Sequence, residues 1–143
     1  MAKHVLRNAG FKIGTTDLSD HTSSLALEDS ADEVEITAFG VGYREFLQGL
    51  KTAQITATMF NDYAAASVDA VIAPLYQKAE SFTIKALADK TSAVSATNPL
   101  FEMTGQMYSY SPISGAVGEA NTTDLTINNS GTAGLTRSTS GTF

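Results

Sequence analysis

Residues 53–60 alternate without a break. Ala53, Ile55, Ala57 and Met59 fall on one side, and Gln54, Thr56 and Thr58 on the other, with Thr52 just before them. A period of two marks a strand with one face buried, and the polar side here carries no charge. The same period recurs along the chain. Residues 22–28 set Leu25 and Leu27 against Ser24, Ala26 and Glu28; residues 33–39 set Val34, Ile36 and Ala38 against Glu33, Glu35, Thr37 and Phe39. Residues 81–88 put Phe82, Ile84 and Ala86 inward, residues 100–113 put Phe101, Met103 and Met107 inward, and residues 122–128 put Leu125 and Ile127 inward. Two short β-type runs, 4–7 and 11–13, precede them.

The segments between these runs suggest how they connect. Asn8-Ala9-Gly10 supplies the backbone freedom of a tight turn and predicts a small hairpin. Asp29-Ser30-Ala31-Asp32 reads as a polar turn, because short Asp and Ser side chains bond their own backbone; it predicts a second hairpin with an acidic tip. Residues 40–51 read as a loop, unusual in carrying Tyr43, Phe46, Leu47 and Leu50, which must pack onto the domain or reach a neighbour. Residues 64–78 change period: Val68, Val71, Ile72, Leu75 and Tyr76 form one helical stripe. Ser67 suits its N-cap and Asp69 its first turn, and Pro74 is expected to end or kink it. The expected fold is mainly β, a sandwich or barrel of about seven to eight strands with one flanking α-helix at about 65–77. Residues 1–129 form the single expected domain, and residues 130–143, rich in Gly, Ser and Thr, a flexible C-terminal arm.

Apolar residues make up 43% of the chain and charged residues 17%, against ~25% charged in typical soluble proteins. That deficit fits a surface covered by other protein, and equally a Thr-rich β protein that is weakly charged. The net charge of −6 argues against binding nucleic acid by neutralising phosphates. The chain has no cysteine, which removes disulfides, thiol nucleophiles and Cys-ligated metals. Its start lacks the apolar run of a signal peptide, so assembly in a cytoplasm is expected. No apolar stretch approaches the ~20 residues that span a bilayer, so no membrane partner is expected.

Catalytic chemistry has little to draw on. His4 and His21 are the only histidines. Asp20-His21 near Ser19, Ser23 and Ser24 holds the letters of a triad, but no GxSxG elbow is present, and His21 reads as a turn residue entering a strand. Asp29, Asp32, Glu33 and Glu35 lack the order of a Ca²⁺ loop. Gly40-Val41-Gly42 is half of a dinucleotide fingerprint, with Glu45 where its last glycine belongs and no βαβ unit behind it. The expectation is no enzyme, no metal and no cofactor.

Four segments together point to a family: DLSDHTSSLALEDSADEVEITAFG (17–40), YREFLQGLKTAQITATMFNDYAAASVDAVIAPLY (43–76), AVSATNPLFEMTGQMYSYSPISGAVGEANTTDLTI (93–127) and the Gly/Ser/Thr-rich end. The chain resembles the major tail proteins, or tail tube proteins, of long-tailed non-contractile bacteriophages, especially those of actinobacteria. The resemblance implies a β-sandwich with a flanking helix, in a virion tail assembled in the host cytoplasm. It implies hexameric rings stacked into a tube, with the sheets of the copies joined into an inner barrel. A tape measure protein would fill the lumen, tail terminator and tail-tip proteins would meet the ends, and DNA would pass through without specific binding. A long loop and the terminal arms would carry contacts between rings. A negative lumen would repel phosphate and let DNA slide; Glu28, Asp29, Asp32, Glu33 and Glu35 are its expected lining, and Tyr43, Phe46, Leu47 and Leu50 the expected inter-subunit contacts. A head–tail connector, a head-decoration protein, a carbohydrate-binding sandwich and a hydrolase are the competing expectations. The absence of Trp weighs against the carbohydrate-binding sandwich.

Overall fold

The computed structural model describes Lys3 and residues 5–143. His4, the first residue of the expected run at 4–7, lies outside the described residues. In chain order the elements are β1 (Gly10–Ile13), β2 (Thr16–Asp17), β3 (Thr22–Glu35), β4 (Phe46–Phe60), α1 (Val68–Lys78), β5 (Phe82–Leu87), β6 (Leu100–Ser109), β7 (Thr122–Asn129) and β8 (Thr136–Ser138). The strands pair in the order β2-β1-β5-β6-β7-β4-β3, with β8 also on β6, and every pairing is antiparallel.

β6 changes partners at its middle. Residues 100–105 pair with β5, and Gly105 begins the pairing with β7, from Gly105↔Asn129 to Ser109↔Thr126. The path therefore divides into two layers that share β6 and face each other. One core joins them: Phe11, Ile13, Ile84 and Met103 from one side, Ile55, Met59, Leu125 and Ile127 from the other. Helix α1 closes the core with Val68 and Ile72, both fully buried. Thr123 is also fully buried, its hydroxyl accepting the Ser111 N–H at 3.3 Å.

Several local expectations give way to pairing. The first hairpin turns at Gly14 and Thr15, not at 8–10. Ile13 pairs with Thr16 and Gly14 takes φ +59°. β1 already has β5 on its other edge, so residues 5–7 find no edge to join. The polar turn at 29–32 does not form either. β3 runs straight through it because β4 offers a partner at each step: Asp29↔Ala53, Ser30↔Thr52, Ala31↔Lys51. The irregularity survives as a bulge, where Gly49 and Leu50 of β4 oppose Asp32 alone. The apolar loop shrinks accordingly, since 46–51 belong to β4.

Helix α1 starts at Val68, with Ser67 as N-cap residue, and passes Pro74 to end at Lys78. Pro74 and Ala70 are both exposed. The carbonyl that the missing N–H leaves free thus lies on the solvent side. β6 ends at Ser109 and bulges at Tyr108, so Tyr108 is exposed while Tyr110 packs on the core. The Tyr110 hydroxyl donates to the Asp69 carboxylate. Burial and that bond push the Tyr110 phenol well above its usual range.

Residues 130–143 are held by their own chain. β8 lies on β6 and Leu135 packs on the core. Phe143 lays its ring on Gly10, where a Cβ would come within 2.7 Å of the ring. Among the described residues no helix is long and apolar enough to cross a membrane.

Candidate functional site

Beyond Asp29 and Ala53 the β3–β4 pair leaves the body of the domain as a free ribbon. Its large apolar side chains are open to solvent: Tyr43 is 89% and Leu50 82% exposed, while Val34, Ile36, Phe46 and Leu47 are about half exposed. The tip is tied by backbone and hydroxyl bonds. Ile36 N–H donates to the Glu45 carbonyl at 2.9 Å, Glu45 N–H to Thr37 Oγ1 at 2.9 Å, and Thr37 Oγ1 to Glu35 Oε1 at 3.0 Å. An isolated two-stranded hairpin is marginal in water, and one that exposes this much apolar surface is suited to being covered. Tyr43, Phe46, Leu47 and Leu50 thus all lie on one protruding element, as strand and tip and not as a loop.

Register divides the acidic residues between two faces. Glu28 pairs with Gln54, on the face opposite the core, and Asp32 keeps that parity along β3. Asp29, Glu33 and Glu35 point to the other face, opposite Ala53, Gln48 and Phe46. The Glu28 face continues across the sheet as Ser24, Ala26, Gln54, Thr56, Thr58, Asp124, Thr126 and Asn128. No Lys or Arg interrupts these stretches of β3, β4 and β7. Thr58 Oγ1 donates to Asp124 Oδ1 at 2.7 Å, and Gln54 Nε2 to Asn128 Oδ1 at 2.9 Å. The result is a smooth, small-residue wall with only negative charge. Sequence reading missed Asp124, although its alternation with buried Thr123 and Leu125 marks it as outward.

His21 sits between two carboxylates, Nδ1 at 2.9 Å from Asp20 Oδ1 and Nε2 at 3.2 Å from Asp62 Oδ2. Among the described residues no hydroxyl is bonded to the His21 ring, whose two nitrogens both face carboxylates. Ser67 Oγ donates to Asp62, and Ser19 Oγ contacts Asp17. The cluster clamps the start of β3 to the turn before α1. Among the described residues no group of His, Asp and Glu is arranged to hold a metal ion. Partial burial pulls the imidazole down, but the bonds and charges of Asp20 and Asp62 outweigh it and hold His21 above its usual value of 6.5. Asp62 is held below 3.8 by the Ala64 N–H, Ser67 and His21. The stabilisation from protonated His21 is therefore complete below about pH 6.5 and fades as pH rises through its higher folded value. The Asp62 part fades only as pH falls below 3.8. Thermal melts should show a Tm about 1–3 °C lower at pH 8.5 than at pH 6, the size expected of a screened, partly exposed pair. His21→Gln should remove that difference, and an unchanged profile in the variant would locate the pH dependence elsewhere.

A groove of about 370 Å³ opens at the root of the ribbon, walled by Leu25, Leu27, Ala86, Phe101 and Leu135, with Asp29 on its rim.

No protein-family model matches the chain, and no curated protein matches it by sequence. Solved structures match it by shape. The SPP1 tail tube superimposes with a TM-score of 0.75 at 10% identity, over 95% of this chain and 78% of that one. The sheath/tube terminator of the extracellular contractile injection system PVC, in its extended state, gives 0.71 at 11% identity over 96% and 97%. The tail of an empty gene transfer agent particle, refined helically with C6 symmetry, gives 0.65 at 15% identity over 81% of each chain. The fold is thus that of proteins from tail tubes and related injection machines, contractile ones included.

Proposed function

We propose that this chain is the structural subunit of a phage-type tail tube of the long, non-contractile kind. Copies assemble into hexameric rings, the rings stack, and the wall built from β3, β4 and β7 faces a lumen that conducts DNA. One observation carries the reading: the face of β3, β4 and β7, free of cations, ends in a 14-residue edge strand, β3, whose outer edge has no partner among the described residues. Such an edge is a template for a strand from another copy. Acids without cations on the wall repel phosphate instead of holding it. Glu28 and Asp124 are its central charges, with Asp32 toward the ribbon. A tape measure protein in the lumen, and terminator and tip proteins at the ends, are the partners this role entails.

Electron microscopy of the purified protein tests the reading. Tubes of uniform bore and indefinite length are expected. Isolated rings would favour the second reading, a terminator or head–tail connector, which the likeness to the PVC terminator supports. Monomers alone would overturn both. Reversing the wall charges with Glu28→Lys and Asp124→Lys should leave tube formation intact and slow DNA release from particles by about tenfold, the lower end of electrostatic rate effects. Release at the normal rate would remove these residues from the lumen.

A further inference from the structure

The groove at the root of the ribbon and the tip of the same ribbon complement each other. The groove is apolar on its walls and carries one carboxylate, Asp29. Among the described residues no hydrogen bond or ion pair reaches that carboxylate. At about 370 Å³ it falls within the ~300–1,000 Å³ of pockets that enclose compact ligands. The tip presents Phe39, Val41 and Tyr43 to solvent, and beside them Arg44, whose side chain is 77% exposed and lies 3.9 Å from Glu35. One end offers apolar side chains with one cation, and the other offers apolar walls with one anion.

We infer that this groove is the receptor for the ribbon tip of a second copy of the chain, with Arg44 of the tip paired to Asp29 of the groove. The inference rests on reading the ribbon as a contact between copies and names the surface that receives it. The chain cannot satisfy the match by itself. Its own tip lies about eight residues past Asp29 along an extended strand, about 25 Å away at ~3.3 Å per residue. A purely apolar occupant would cover Asp29 without a counter-charge, which is costly; a tip bringing a guanidinium avoids this and gains a forked hydrogen-bonding partner. Tip and groove occupy different places on the molecule, so the contact is head-to-tail, the kind that closes into rings or propagates along an axis.

A charge exchange tests it. Arg44→Asp and Asp29→Arg should each raise the concentration needed for self-association at least tenfold, measured by sedimentation and electron microscopy on chains whose melting curves match the wild type. The double variant, Asp29→Arg with Arg44→Asp, should return to within about threefold of wild type. Wild-type tubes that persist in both single variants, or a double variant no better than either single, would overturn the pairing while leaving the tube reading intact. The groove would then hold another occupant, such as a small apolar molecule. Self-association that follows the charge exchange without tubes would uphold the pairing and sink the tube reading. A wild-type chain that stays monomeric would sink both.

Discussion

Gly105→Val is expected to be the most damaging single substitution in the domain. Gly105 is the residue at which β6 passes from one layer to the other, paired to Phe82 on one edge and Asn129 on the other. The strands are pressed together there. A Cβ at this position would lie 2.6 Å from the Asn128 backbone oxygen and 2.7 Å from Ile127 Cγ2. A side-chain clash can be relieved by a rotamer change, but the Asn128 carbonyl belongs to the β7 backbone and cannot move without breaking the β4–β7 ladder. Overpacking costs ~1–3 kcal/mol where neighbours can adjust, so about 3 kcal/mol is expected for Gly105→Ala and more for valine. In a chain of this size that is a fall in Tm of about 10 °C for alanine, with valine accumulating in the insoluble fraction. Circular dichroism melts of the alanine variant decide it. A fall of less than about 3 °C would mean that β7 can retreat from β6 and that the layers are not fixed at this point.

Gly105 also shows what a sequence makes legible and what it hides. A glycine inside a strand pattern is a known mark of close backbone approach, so the signal was present between Met103 and Met107, but alternation alone did not rank it. Period-two reading works where one face meets the core. Ala53, Ile55, Ala57 and Met59 are all buried, as are Ile84, Leu125 and Ile127. It fails where neither face does. In the distal ribbon the Asp29–Asp32 tetrad has the local chemistry of a turn, and only the facing strand, distant in sequence, decides that it is extended. That error moved Phe46 and Leu47 into a loop and left the five acids grouped around a turn, with no register to say which face each one takes. The register separates Glu28 and Asp32 from Asp29, Glu33 and Glu35. The helix was legible from its stripe, but Pro74 was overweighted because exposure at Ala70 lets water replace the lost bond. The C-terminal stretch was legible in composition only. That Phe143 rests on Gly10 depends on a glycine 133 positions away, and no local pattern records it.

Phe46→Ser with Leu47→Ser should weaken assembly about 30-fold while leaving the monomer folded. Both side chains sit on the ribbon beyond the core, about half exposed in the free chain, so each has roughly half its apolar surface left to lose to a partner. Full burial of such a side chain is worth ~1.5–3 kcal/mol. The remaining half, taken over two residues, comes to roughly 2 kcal/mol per copy, which is about 30-fold in the concentration at which copies associate. The monomer loses far less, because the backbone pairings Val34↔Leu47 and Glu35↔Phe46 do not depend on the side chains and neither residue belongs to the core cluster. Substitutions outside the core usually stay near ±0.5 kcal/mol, so the melting curve should move by about 2 °C at most. Light scattering against concentration, with a melt of the same sample, separates the two effects. Tubes forming at the normal concentration would mean that neither face of the ribbon at Phe46 and Leu47 is an interface, and the assembly role of these two side chains would fall. A large drop in Tm with lost assembly would show instead that the ribbon folds back to support its own domain.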